Sequence, residues 1–198
     1  MIRRTTLQLL FGLLGLWAEL AGAEPSIEPV CCDWELSAPF YVSGTAYYFD
    51  DGNTSTGLHT LSLAAELKLS SKGSPWQTGI FVDRRFSDNS AADGIFNSGG
   101  FVKNYTGRWD TSLWIFNHNP PNASSQWVFA TRVRYLLAPR HKLGLEVFGL
   151  FDDASEPDLL LGYYGDVTDR WSVKLVAGAN IHDPSKRILR TELVFQLH

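Results

Sequence analysis

Apolar and polar residues alternate with a period of two along most of this chain, in segments of about ten residues separated by clusters of Gly, Pro, Asn, Asp and Ser. In one such segment, Leu143 and Leu145 fall on one face, whereas Glu146 falls on the other. A β-strand points successive side chains to opposite faces, so each segment is predicted to be a strand with one apolar face. No convincing helix interrupts the pattern after Pro39, and the sequence therefore predicts an all-β domain.

Ten segments carry the pattern: 39–50, 58–70, 76–87, 95–105, 108–117, 126–137, 142–152, 158–166, 171–182 and 187–198. The sequence Ser98-Gly99-Gly100 at the centre of 95–105 would also suit a loop. Counting this segment as a strand places the four shortest connections at the same end of the sheet. It also makes the strand number even, which returns both chain ends to one side. The prediction is an antiparallel up-and-down β-barrel of about ten strands, with about eight as the alternative.

The amino terminus has the three parts of a secretory signal peptide. Arg3 and Arg4 precede an apolar run at 7–17, and the small residues Ala21-Gly22-Ala23 follow it. Cleavage is expected after Ala23. A retained anchor is the alternative, although the run is shorter than the ~20 residues that span a bilayer. The predicted parts of the chain are a signal peptide at 1–23, a flexible leader at 24–38 and the barrel at 39–198.

The two cysteines of the chain, Cys31 and Cys32, are adjacent to each other. They stand several residues beyond the expected cleavage site, so no lipid-modified cysteine is expected. Adjacent thiols without a nearby histidine supply too few ligands for a zinc site. We interpret them as an incidental pair in the leader, and no cofactor is predicted.

Composition excludes two classes of protein. The 17 Lys and Arg residues against 21 Asp and Glu residues give a formal charge of −4, which offers no general attraction for nucleic acid.

After residue 23 there is no continuous apolar stretch of about 20 residues, which argues against transmembrane helices. Tilted strands can instead cross a bilayer when they close into a barrel, because closure pairs every backbone donor and acceptor.

Tryptophan follows three of the four short connections immediately, at Trp76, Trp109 and Trp171. The fourth connection is followed by His141-Lys142-Leu143. Tryptophan at corresponding strand starts is typical of the aromatic belt at a membrane interface, where the ring and its N–H are both accommodated. Three unrelated core tryptophans are the alternative interpretation.

From Phe40 to His198 these features together resemble the small outer-membrane β-barrels of Gram-negative bacteria. The resemblance rests on the signal segment, the alternation, the tryptophan starts and the closing strand 190–198, and it identifies no individual family. It implies export to the outer membrane, contact with membrane lipid and lipopolysaccharide, and insertion by the barrel assembly machinery. Members commonly end in an aromatic residue, whereas this chain ends in His198.

Turning the apolar faces outward places five acidic and six basic residues inside the predicted barrel. They are Glu66, Asp83, Asp110, Glu146, Glu192, Lys68, Arg85, Arg132, Arg134, Lys174 and Arg190. Unpaired charges in a narrow lumen are costly, so a cross-strand network of ion pairs is expected. Because barrels of about eight strands are filled by their own side chains, a closed or narrow lumen is predicted.

The longer connections carry two acidic pairs, Asp50-Asp51 and Asp152-Asp153, and the pair His182-Asp183. The simplest interpretation is a solvated, turn-forming rim, since Asp favours turns. Clustered carboxylates could also bind divalent cations that bridge lipopolysaccharide. A third interpretation is a hydrolytic rim in which His182 acts as a general base.

The sequence therefore predicts an outer-membrane barrel that acts as a surface-binding or scaffold component through its outer loops. A narrow channel for small polar solutes and an outer-rim hydrolase acting on lipid or peptide are the alternative functions. A lipocalin-like barrel with its apolar residues inside is the structural rival, because alternation alone does not fix which face points inward.

Overall fold

The computed structural model describes residues 34–71, 73–89, 93–152 and 157–197. The predicted signal peptide, Cys31, Cys32, Asp153 and His198 lie outside these ranges. No helix among the described residues is long and apolar enough to cross a membrane.

The described residues form antiparallel strands. These are β1 (Trp34–Ser37), β2 (Phe40–Asp50), β3 (Ser55–Ser71), β4 (Trp76–Ser87), β5 (Phe96–Thr106), β6 (Trp109–Asn119), β7 (Gln126–Ala138), β8 (His141–Leu150), β9 (Asp158–Asp166), β10 (Trp171–Asn180) and β11 (Arg187–Leu197). Strands β2 to β11 each pair with the next strand in the chain. β11 then pairs back onto β2, from Arg187 opposite Asp50 to Leu197 opposite Phe40, and this seam closes the barrel.

The predicted barrel of ten strands is confirmed, and the eight-strand alternative is wrong. The largest boundary difference is at β3, which was predicted to begin at residue 58 and begins at Ser55. Segment 95–105, with its glycine pair, is strand β5 and pairs along its length with β4 and β6. Packing between two neighbours thus overrides the weak strand propensity of glycine there.

Strand β1 was not predicted, because its residues fall in the segment that was interpreted as a leader. It pairs with the end of β3, from Trp34 opposite Ser71 to Ser37 opposite Lys68. β2 covers β3 only as far as Ala65, so the remainder of this long strand has a free edge that β1 occupies. Proline has no N–H to donate, which explains why the strand pattern is interrupted at Pro39.

The two faces of the barrel differ in the way that the sequence predicts. Cross-strand partners share a face, and Glu146 on β8, which is 0% exposed, lies opposite Arg132 on β7 and Leu160 on β9. On the other face of the same strands, Leu161 is 62% exposed. Charged side chains therefore point inward and apolar side chains point outward, so the lipocalin-like alternative is wrong.

Aromatic side chains surround the barrel at both ends of its outer face. Trp76, Trp109 and Trp171 begin β4, β6 and β10 and are partly exposed at the end with the short connections. The rings of Trp109 and Tyr135 pack with their centroids 4.9 Å apart. A second ring of exposed aromatic side chains lies at the opposite end: Tyr48, Phe86, Phe96 and Trp127. Two such rings flanking an apolar band match the surface expected of a barrel that spans a bilayer.

The connections differ between the two ends. The short ones are 72–75, 107–108, 139–140 and 167–170, and the longer set is 51–54, 88–95, 120–125, 151–157 and 181–186. Gly107 has φ of 60° in the shortest type of turn, a left-handed conformation that glycine adopts without steric cost. Arg140 adopts φ of 70° in the corresponding turn between β7 and β8.

A charge on the outer face tests the orientation of the barrel. Leu161 lies midway along β9, and Leu161→Arg should lower the free energy of unfolding by ~2–4 kcal/mol in lipid vesicles, because the cation would face hydrocarbon. Denaturant titration followed by tryptophan fluorescence measures the change. Leu161→Met is the matched control and should stay within ~1.5 kcal/mol of the wild type. Equal stability of the Arg and Met variants would contradict the outward position of this face.

Candidate functional site

The predicted interior charges lie in the lumen of the barrel. All eleven of these residues occupy inward-facing positions of the strands. Glu146 is the centre of the largest cluster. Its carboxylate accepts hydrogen bonds from Arg132 Nε at 2.8 Å and from Arg190 Nη2 at 2.5 Å. Lys174 Nζ lies 2.8 Å from the same carboxylate, and the Tyr164 hydroxyl donates to it at 3.3 Å. One acid thus connects β8 to β7, β9, β10 and β11.

Glu192 extends this cluster, because its carboxylate lies 3.9 Å from Lys174 Nζ. Three cations surround Glu146, so the second acid adds negative charge where basic groups are in excess. Such a network satisfies charges that the narrow lumen hydrates poorly.

A second cluster lies near the short-connection end, around Asp110 on β6. Arg134 Nη2 donates to both of its carboxylate oxygens, at 2.9 and 2.8 Å, and Lys142 Nζ donates at 2.7 Å. Lys142 was absent from the predicted set. It has the same strand parity as Glu146, so the alternation contained the signal for it.

A third cluster joins β2, β3 and β5. Glu66 Oε2 lies 3.2 Å from Lys68 Nζ and 3.6 Å from Lys103 Nζ, and Lys68 donates to the Tyr41 hydroxyl at 2.6 Å. Lys103 was also missed by sequence reasoning. It lies on β5, where the glycine pair obscures the alternation that would have shown which face it occupies.

The fourth cluster is a chain of hydrogen bonds across β4, β5 and β6. Arg85 Nε donates to Asp83 Oδ2 at 3.1 Å, and Asn97 Nδ2 donates to the same oxygen at 2.7 Å. Asn97 Oδ1 in turn lies 2.8 Å from His118 Nδ1. Asn97 is 1% exposed, so a buried amide connects the acid to the histidine.

One wall of the lumen is aromatic, which the sequence analysis did not predict. The ring of Trp114 packs against Phe81 with centroids 5.0 Å apart and against Phe101 at 4.6 Å. Gly79 leaves room for this wall, because a Cβ atom there would lie 2.6 Å from the Phe101 ring. Lys103 Nζ lies 4.4 Å from the centroid of the Phe101 ring, a cation–π contact. Hydrophobicity alone assigns aromatic side chains to the lipid face, and only the position of each residue in the strand alternation could have placed these rings inside.

Within the part of the chain that the structure describes, three cavities follow one another through the barrel. The outer cavity, at the long-connection end, has a volume of about 420 Å³, the central cavity about 370 Å³ and the inner cavity about 300 Å³. Arg85, Phe116 and Phe148 line both the outer and the central cavity. Tyr41, Asp166, Ser172 and Val194 line both the central and the inner cavity.

Small side chains explain why the central cavity remains open. Ser43 of β2 lies opposite Ser62 of β3, and Ala64 follows two residues later on the same face. In a ring of ten strands, β3 lies half a turn from β8, which carries the Glu146 cluster. The bulky side chains of Arg132, Lys174 and Arg190 therefore fill the side of the lumen around Glu146, whereas the small side chains of β2 and β3 leave space opposite them.

Two of the acidic rim residues, Asp51 and Asp183, accept hydrogen bonds from residues of their own loops. The carboxylate of Asp51 accepts hydrogen bonds from the backbone N–H groups of Thr54 and Asn53 and from the Thr54 hydroxyl, which lower its pKa. The Ser185 hydroxyl and backbone N–H likewise lower the pKa of Asp183. Both carboxylates are therefore ionised at neutral pH, and these turn contacts are lost only as the pH falls through the lowered values.

The other predicted rim residues, Asp50, Asp152 and His182, lie at three different long connections. Asp50 accepts a hydrogen bond from Gly52 N at 2.9 Å, and Asp152 is exposed beyond the end of β8. The backbone N–H of His182 donates to Asn180 Oδ1 at 3.0 Å. Among the described residues no group of three or more His, Cys, Asp or Glu side chains is arranged to hold a metal ion. The predicted cation site at the rim remains a prediction.

Comparison with solved structures identifies barrels of the same kind. A KdgM porin in complex with disordered oligogalacturonate is similar to this chain with a TM-score of 0.50 and 10% sequence identity, over 80% of this chain and 99% of that one. A porin refined at 1.8 Å resolution gives a TM-score of 0.36 at 14% identity, over 88% and 65% of the two chains. Neisserial surface protein A gives 0.28 at 9% identity, over 82% and 99%.

The likeness to the KdgM porin concerns the fold alone, and the two lower scores support no finer assignment. No protein-family model matches the sequence, and no curated protein matches it. The predicted resemblance is confirmed at the level of the fold, which is that of a small outer-membrane β-barrel.

Removing the charge of Glu146 tests the lumen network. Glu146→Gln should lower the free energy of unfolding by about 3 kcal/mol, because three enclosed cations would lose their counter-charge. Denaturant titration in vesicles measures the change. The control is Asp169→Asn, which breaks the exposed Arg140–Asp169 pair and should cost less than ~1 kcal/mol. Similar losses in the two variants would show that the lumen pairs are no stronger than surface pairs.

Proposed function

We propose that the protein is a narrow outer-membrane channel for small polar solutes. The observation that carries the proposal is the series of three cavities, in which each neighbouring pair shares lining residues. A barrel filled by its own side chains would have no such series. The three volumes are all far above the ~10–15 Å³ that one buried water molecule requires.

The chemistry of the lining supports a hydrated path. Several buried polar atoms of the lumen have no protein partner among the described residues, including Thr60 Oγ1 and Ser112 Oγ. Leaving a buried polar group unsatisfied costs about 1–3 kcal/mol, so water at these positions would stabilise the barrel. A polar solute that forms hydrogen bonds with such a lining loses little hydrogen-bond energy when it leaves bulk water.

The bulk of the interior side chains limits the size of the solute. Arg132 and Arg190 enter the central cavity from one side, and Trp114 and Phe81 from another. Barrels of 16–18 strands leave a wide aqueous channel, whereas one of ten strands has a much smaller diameter. The proposal is therefore a path for small molecules and ions, not a general diffusion pore.

A surface-binding or scaffold role has less support. The connections at the outer end contain at most the eight residues of 88–95, so they offer little surface to a partner. The KdgM porin in complex with disordered oligogalacturonate has the same fold, and a channel is compatible with that fold.

Blocking the central cavity tests the proposal in planar bilayers. Ala64 lines this cavity, and Ala64→Phe should lower single-channel conductance by at least ~2-fold because the added ring occupies the free space. The matched control is Ala65→Phe, at the neighbouring position, which points outward opposite Phe40 and Val82 and should leave conductance unchanged.

Two results would overturn the channel. One is the absence of conductance in wild-type protein that shows the heat-modifiable migration of a folded barrel. The other is an equal reduction by both phenylalanine variants, which would mean that the current does not pass through the central cavity.

A further inference from the structure

Arg85 occupies the junction between the outer and the central cavity. It is the one ionisable residue among the described residues that lines both of them, and its neighbours at the junction are the apolar rings of Phe116 and Phe148. A solute that moves from the outer to the central cavity therefore passes the guanidinium group of Arg85 and the rings of Phe116 and Phe148.

The hydrogen bonds of Arg85 leave part of its guanidinium group available. Nε donates to Asp83 at 3.1 Å and Nη1 donates to the Tyr47 hydroxyl at 3.4 Å. Nη2 has no hydrogen-bond partner in the part of the chain that the structure describes. The N–H groups of Nη2 can therefore donate to an anionic group, and hydrogen bonds between a guanidinium and an anion are among the stronger ones.

The acid that holds Arg85 does not face the outer cavity. Asp83 lines the central cavity only, and its Oδ2 atom is shared between Arg85 and Asn97. Because the Asn97 amide nitrogen donates to Asp83, its carbonyl oxygen faces His118, and His118 Nδ1 must be the donor to it. This chain of contacts fixes Asp83 below the junction, so the outer cavity is exposed to the cation rather than to the acid.

The lining of the outer cavity carries two cations and one carboxylate, and each cation is also paired with an acid that lies outside this lining. The cations are those of Arg85 and Lys186 and the carboxylate is that of Asp158, and His118 and two amides line the cavity as well. Asp158 accepts a hydrogen bond from Asn180 at 3.3 Å, whereas Lys186 lies 3.6 Å from Asp183 at the rim. The other lining side chains are apolar, including Val128 and Leu150, and low-dielectric walls strengthen the field of the charges inside them.

We infer that Arg85 is the residue that selects solutes in this channel, and that it favours small carboxylate anions over cations. The inference rests on the proposed channel function and adds the charge of the solute to it. A carboxylate that reaches this junction would accept a hydrogen bond from Nη2 of Arg85, whereas a cation would be repelled there.

Reversal potentials in planar bilayers test the inference. With a salt gradient of KCl, and separately of potassium acetate, the wild-type channel should be more permeable to the anion than to K⁺. Arg85→Gln should lower the anion-to-cation permeability ratio by at least ~3-fold, because it removes the charge at the junction. Arg84→Gln is the matched control, since Arg84 is the adjacent residue and points outward opposite Leu63 and Phe96, and it should leave the ratio unchanged.

Arg85→Gln leaves Asp83 without its cation and could impair folding. The double variant Asp83→Asn/Arg85→Gln removes both charges and keeps the net charge of the barrel, and it should show the same loss of anion preference. Wild-type current without preference for chloride or for acetate would overturn the inference and leave the channel standing. Preserved anion preference in a folded variant without Arg85 would overturn it as well. Absence of any wild-type current would overturn the proposed channel itself.

Discussion

Closure of the backbone hydrogen-bond network is the constraint on which this structure depends. Hydrocarbon offers no partner to an exposed N–H or C=O group, so a sheet within a membrane must end by pairing with itself. The seam between β2 and β11 provides this closure along the full length of both strands, from Asp50 to Phe40. Once the ring is closed, side chains can point only into the lumen or toward the lipid, and the sequence places most leucine and isoleucine residues on the lipid face and the paired ionised groups in the lumen. The lumen, its charges and its cavities follow from that assignment.

The interior charges replace the hydrophobic core that a soluble domain of this size would have. Glu146 gathers cations from three other strands, and two of these strands, β10 and β11, are not its neighbours in the sheet. Contacts of this kind hold the cross-section of the barrel in shape, which backbone pairing alone does not do. A smaller apolar cluster of Leu160, Tyr164 and Val176 lies inside the same wall. On the opposite wall Ser43, Ser62 and Ala64 are small, and the space that they leave forms part of the path that a solute would use.

The strands could be predicted because an alternation with a period of two is visible in the sequence itself. The orientation of the two faces could be predicted because Arg132 and Glu146 fall on the same face as the other polar residues. The sequence did not predict β1, whose pairing depends on the length of β3 rather than on any pattern in its own four residues. The aromatic wall around Trp114 was missed because hydrophobicity alone assigns such rings to lipid. The cavities could not be predicted at all, since their existence depends on the stagger between strands and on the rotamers of arginine side chains. The junction at Arg85 is visible only once both neighbouring cavities are known.

The seam has a consequence for the order of assembly. Each pairing from β2 to β11 joins strands that follow one another in the chain, so nine of them are local hairpins of low contact order. The tenth joins Phe40 to Leu197 and spans the whole domain. Closing the seam therefore carries the largest loop-closure entropy of any single pairing, and it can occur only after the last strand has been delivered. Until then β2 and β11 are open templates for any other strand, including those of a second molecule, which makes the interval before closure the stage at which the chain is most vulnerable to misassembly.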